Sequence, residues 1–93
     1  MTIGIRITLP GLTEQQFDAA HDRINPERLA PPGLVFHSSG PVEGGWGIVD
    51  FWESRADFEA FQGRVQEGMA AVGFEPAEPP AVEQFPVHEV IRS

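Results

Sequence analysis

The spacing of apolar residues changes period along this chain, and the order of those changes limits the possible architecture more than any single residue does. From Thr2 to Leu9, "TIGIRITL" alternates strictly, with Ile3, Ile5, Ile7 and Leu9 on one side and Thr2, Gly4, Arg6 and Thr8 on the other, as a half-buried strand requires. Pro10 and Gly11 end it. "TEQQ" from Thr13 to Gln16 has the form of a capping box, and Phe17, Ala20, His21 and Ile24 follow at helical spacing, so a helix is predicted over 13–24. "NPERLAPPG", 25–33, reads as a proline-defined connector with a short turn around Glu27 to Leu29. "LVFHSSG" and "WGIVDFWE" are two strands close enough to form a hairpin through "PVEGG". Ser54 with Asp57 starts a second helix, whose stripe Phe58, Phe61, Val65, Met69 and Val72 runs to a C-capping Gly73. Beyond the proline-rich "FEPAEPPA", "VEQFPVHEVIR" alternates again, and Pro86 points to an edge or a bulge.

This β-α-β-β-α-β order is the split βαβ pattern of the ferredoxin-like α+β fold, an antiparallel sheet in the order 4-1-3-2 with both helices on one face. Residues 1–93 read as one domain, and no part of the chain is left over to cover the second face of the sheet. The helix-covered face is expected to be the more uniformly apolar: Ile3, Ile5 and Ile7, with Leu34 and Phe36, Val49 and Phe51, and Phe85 and Val87. The opposite face then carries Arg6, Thr8, Val35, His37, Ser39, Trp46, Ile48, Asp50, Trp52, Gln84, Pro86, His88 and Val90. Two tryptophans on an open face make a large apolar patch for a monomer, so this face is expected to pack on a second copy across a two-fold axis.

Composition removes several functional classes. There is no cysteine, hence no disulfide, thiolate metal site or cysteine nucleophile. A net charge of -8, with six arginines and no lysine, argues against nucleic acid and anionic membranes as partners. No run approaches a membrane span and the N-terminus has no signal-peptide pattern, so a soluble cytoplasmic protein is expected.

Asp50 is the residue that does not fit its surroundings, a charge inside the apolar strand "GGWGIVDFWES". Burying it costs several kcal/mol unless it is paired or hydrogen-bonded. With an even-numbered hairpin loop, His37 shares its face and lies opposite Asp50 or Ile48. Strand 1 flanks strand 3, which brings Arg6 within reach as well. Arg6, His37 and Asp50 can therefore form either a polar network that fixes register at a dimer seam or a catalytic group. In the second reading Asp50 orients His37, His37 takes a proton from an activated carbon acid, and Arg6 stabilises the enolate or phenolate. Trp46 and Trp52 would supply an apolar wall, or simply interface packing. His21 lies on the apolar stripe of helix 1, as a core residue or as part of a pocket between sheet and helices. His37 and His88 sit on opposite sheet edges, about 14 Å apart at three strand spacings. They could meet only across a dimer, and no His-x-His or His-Glu-x-x-His spacing is present, so no metal is expected.

Taken together, "GLTEQQFDA", "GLVFHSSGPVEGGWGIVDFWES", "FEAF" and "VEQFPVHEVI" resemble the dimeric α/β-barrel superfamily, in particular small proteins near the antibiotic-biosynthesis monooxygenase branch. The resemblance implies a homodimer whose two sheets form a barrel and which binds a small aromatic or polyketide-like molecule. It implies cofactor-independent oxidation or proton-transfer chemistry such as isomerisation or cyclisation. On the reading of the residues given above, and not by carry-over from the family, catalytic roles would fall on His37, Asp50 and Arg6, and substrate contacts on Trp46, Trp52, His88 and His21. The alternatives are a non-catalytic binding or dimerisation module whose polar cluster is structural, and a haem-binding or haem-degrading protein, another branch of the same superfamily.

Overall fold

In the computed structural model, which describes residues 2–24, 31–74 and 79–91, the elements follow in the order β1 (Ile3–Pro10), α1 (Glu14–Ile24), β2 (Leu34–Val42), β3 (Gly45–Trp52), α2 (Arg55–Ala71) and β4 (Ala81–Pro86). The four strands form one antiparallel sheet in the order β2-β3-β1-β4, the arrangement expected from the sequence. The turn expected around Glu27 to Leu29 lies outside the described residues. No helix among the described residues is long and apolar enough to cross a membrane.

Local chemistry sets the element ends. The backbone N–H of Thr13 donates to Gln16 Oε1 at 3.1 Å while that of Gln16 donates to Thr13 Oγ at 3.2 Å, the reciprocal bonds of a capping box. At α2, Ser54 Oγ accepts from the Asp57 backbone N–H at 3.2 Å. The hairpin between β2 and β3 closes through a two-residue turn, Glu43 and Gly44, since Val42 pairs with Gly45. Gly44 takes a φ of +77° there, a region that residues with a Cβ enter only at a cost. The two helices touch where Gly68 of α2 leaves room for the Ile24 side chain of α1, and Arg64 Nη2 donates at 2.8 Å to the Ile24 carbonyl at the end of α1.

The side of the sheet that the helices cover differs from the sequence expectation on three of the four strands. Directly opposed residues of an antiparallel pair share a face. Ile3 is opposite Trp52, Ile5 opposite Asp50, Ile7 opposite Ile48 and Leu9 opposite Trp46. Trp46, Ile48, Asp50 and Trp52 are all buried, and with Phe58 and Met69 the apolar ones build the core between sheet and helices. Val49 and Phe51 face away from the helices, and so does Phe85, opposite Gly4. Both alternating sets of β3 are apolar, so periodicity alone could not orient that strand; the bulkier tryptophan set fills the core. On β2 a bulge lies between Leu34 and Phe36, with Leu34 opposite Trp52 and Phe36 opposite Phe51. The extra residue, Val35, breaks the period of two, so Leu34 and His37 both face the helices and Phe36 faces out.

The helix-free face consequently carries aromatic rings other than the expected tryptophans. Phe36, Phe51 and Phe85 run across the sheet with ring centroids 6.3 and 6.4 Å apart. A Cβ on Gly4 would come within 2.2 Å of the Phe85 ring, so the glycine is what lets that ring lie across β1.

Candidate active site

The hairpin places His37 directly opposite Asp50, on the face toward the helices. Their side chains meet at 2.5 Å between Nδ1 and Oδ1. Asp50 is 5% exposed, and it is the one charged residue in the core among the described residues. A carboxylate can only accept, so His37 Nδ1–H is the donor, which in the neutral ring places the lone pair on Nε2. The bond satisfies a buried charge that would otherwise be costly.

Asp50 and His37 open onto a cavity of about 50 Å³ between sheet and helices, walled by Ile48, Trp52, Phe58 and Val65. His21 of α1 reaches the same space. Its ring stacks at 5.6 Å on Phe17 and at 6.4 Å on His37, nearly parallel at 22°. Phe17 in turn stacks on Trp46 at 5.0 Å, so three rings lead from the core to the His37 and Asp50 pair. A cavity of this size holds a few waters or a small functional group. Among the described residues no three His, Cys, Asp or Glu side chains form a group that could hold a metal ion.

The residues expected to act together are only partly assembled. His37 and Asp50 meet, the first of the two pairings that an even loop allowed. Arg6 does not join them: it is opposite Val49 and Glu83, exposed, on the other face of the sheet. The expectation failed because Arg6 lies on the outward set of β1 while Asp50 lies on the inward set of β3. Trp52 walls the cavity, whereas Trp46 is a core residue behind Phe17. His88 follows the end of β4, is exposed, and takes no part in the cavity. The site is therefore in the layer between sheet and helices and not on the outer face. Gln62, Val65 and Met69 of α2 complete its wall and were read from the sequence, if at all, only as core positions.

Comparison with known proteins bears on the fold. No protein-family model matches the chain, and no curated protein matches it either. Solved structures do. A protein from Caulobacter crescentus, provisionally named an antibiotic biosynthesis monooxygenase, superposes with a TM-score of 0.75 at 20% identity, covering 95% of this chain and 91% of the other. A dimeric ferredoxin-like protein of unknown function from Thermobifida fusca gives 0.67 at 17% identity, covering 94% and 92%. SnoaB, a cofactor-independent oxygenase from Streptomyces nogalater, gives 0.64 at 10% identity, covering 99% and 97%. Identities this low speak for architecture alone, and the architecture is the ferredoxin-like fold shared by antibiotic-biosynthesis-monooxygenase-like proteins and dimeric ferredoxin-like proteins.

Proposed function

We propose that this chain is a cofactor-independent enzyme whose first step is removal of a proton from a small, weakly acidic organic molecule, with His37 as the base. One observation carries the reading: the only charged residue in the described core is hydrogen-bonded to an imidazole, and both line a cavity instead of being sealed in packing. A purely structural pair needs no cavity beside it. Asp50 fixes the ring and its tautomer and stabilises the imidazolium that forms when Nε2 takes the proton. His21, which lines the same cavity beside His37, donates to the oxygen of the enolate or phenolate in place of Arg6. The apolar walls keep water away and strengthen both interactions.

The test is deuterium wash-in from D₂O at the α-carbon of a panel of small ketones and 1,3-diketones, followed by NMR. The parent protein is expected to accelerate exchange, and His37→Gln to lose about 10²- to 10⁴-fold of that acceleration, the usual contribution of a positioned base. Exchange at the buffer rate across the panel would dismiss the catalytic reading. Oxygen uptake in step with exchange would assign oxygenation, and its absence isomerisation or cyclisation.

We further propose a homodimer joined through the helix-free face, in keeping with the dimeric ferredoxin-like protein of similar fold. Its support is the row Phe36, Phe51 and Phe85, with Phe36 57% and Phe85 39% exposed. Contiguous exposed aromatic surface of this kind marks an interface. Light scattering should give twice the chain mass for the parent protein and a shift to monomer for Phe51→Asp, which puts a charge at the centre of the row. A monomeric parent would refute the assembly.

A further inference from the structure

The cavity beside His37 is too small for the 300–1,000 Å³ that ordinary ligand sites occupy, yet it does not stand alone. A groove of about 290 Å³ lies next to it, between α2 and the inner face of β1 and β3. Ile7, Ile48, Gln62, Val65 and Met69 wall both spaces. Two of these five, Gln62 and Met69, are unbranched and flexible, and a rotamer change in a thioether side chain is cheap. Beyond them the groove continues along Leu9, Ala70 and Phe74. With this groove the space reaches the lower end of the ordinary range, and it has two chemically distinct ends. His21, His37 and Asp50 stand at one end, and the other is mostly apolar, with Gln62 and Gln66 as its polar side chains and no charged group.

We propose that the substrate is amphiphilic: a compact carbonyl or hydroxyl head is held in the cavity that His21 and His37 line, and a linear apolar tail runs under α2 past Met69 into the groove. The head explains why the polar part of the site is so small. The tail explains why apolar walls extend well beyond what the acid-base groups need. Binding energy from the tail is then available to hold the head in register with His37. This inference rests on the proton-transfer reading for the head, whereas the tail channel stands or falls separately.

Acetylacetone and its homologues in which one terminal methyl is lengthened to propyl or pentyl separate the two. Their dissociation constants are measured by calorimetry, and enolate formation on the protein by ultraviolet difference absorbance. Affinity is expected to rise about two- to fourfold per methylene, as burial of a CH₂ in an apolar channel implies. Ala70→Phe, at a position that lines the groove and not the cavity, should leave acetylacetone binding unchanged and lose about tenfold or more for the pentyl homologue. Equal affinity along the series, no binding of any member, or an Ala70→Phe variant that binds the pentyl homologue like the parent would overturn the channel. Chain-length dependence without enolate absorbance would keep the channel and remove the proton-transfer reading. Enolate absorbance without chain-length dependence would do the reverse.

Discussion

The double variant His37→Leu/Asp50→Leu is expected to fold at least as stably as the parent protein while losing all proton-exchange activity. Asp50 lies between Ile5 and His37 in the register, on a face otherwise filled by apolar side chains. Desolvating a carboxylate there costs several kcal/mol, and one hydrogen bond to a partly exposed imidazole, 31% accessible at its side chain, returns only part of that. Replacing buried polar pairs by hydrocarbon of similar volume is often neutral or stabilising, by about 1–4 kcal/mol. The single change Asp50→Ala should instead cost about 1–3 kcal/mol, because it removes the acceptor of a charge-assisted bond and leaves the donor behind. Urea denaturation of the three proteins measures both. A double variant weakened by several kcal/mol would identify the pair as a brace of the fold. A double variant that is more stable and inactive is the signature of a polar group kept at the expense of stability for what it does.

Trp52→Ala should be the most destabilising single substitution in the chain, by about 3–5 kcal/mol, which for a domain this small lowers the melting temperature by well over ten degrees. Trp52 is fully buried, opposite both Ile3 and Leu34, and its ring meets Phe58 at 6.0 Å and Phe61 at 5.5 Å. Removing it opens a void at the junction of three strands and α2. Trp52→Phe should cost far less than the lost volume suggests. The indole Nε1 has no hydrogen-bond partner among the described residues, and replacing an unsatisfied buried donor by carbon recovers about 1–3 kcal/mol. Calorimetric melting of both variants checks the pair of expectations, and a Phe variant as weak as the Ala variant would show that the N–H does find a partner.

What could be read from sequence follows from which signals are local. Both helix starts were legible because Thr13 with Gln16 and Ser54 with Asp57 satisfy backbone donors with side chains three residues away. The hairpin was legible because Gly44 suits a tight turn, and an even loop put His37 on the face of Asp50; that it stands opposite Asp50 and not Ile48 follows from the two-residue length of the turn. The layer in which that pair lies was not legible. Orientation of β3 depends on whether Trp46 and Trp52 or Val49 and Phe51 pack better under the helices, a comparison of volumes that no periodicity contains. The bulge at Val35 leaves no mark in composition, and it carried Leu34 to the side opposite the one expected relative to His37. Arg6 was misassigned through the same error, since its strand was oriented correctly and Asp50 was not.

That bulge also divides the labour along β2. The turn at Glu43 and Gly44 sets which residue confronts Asp50, whereas the irregularity at Val35 sets which residue lies over Trp52. Without the irregularity, regular pairing continued from Phe36 would set Val35 in place of Leu34 opposite Trp52 and leave the imidazole where it is. The wall over Trp52 and the His37 and Asp50 pairing are therefore set by separate features of one strand, so the shape of the cavity can change at the bulge while that pair stays in register.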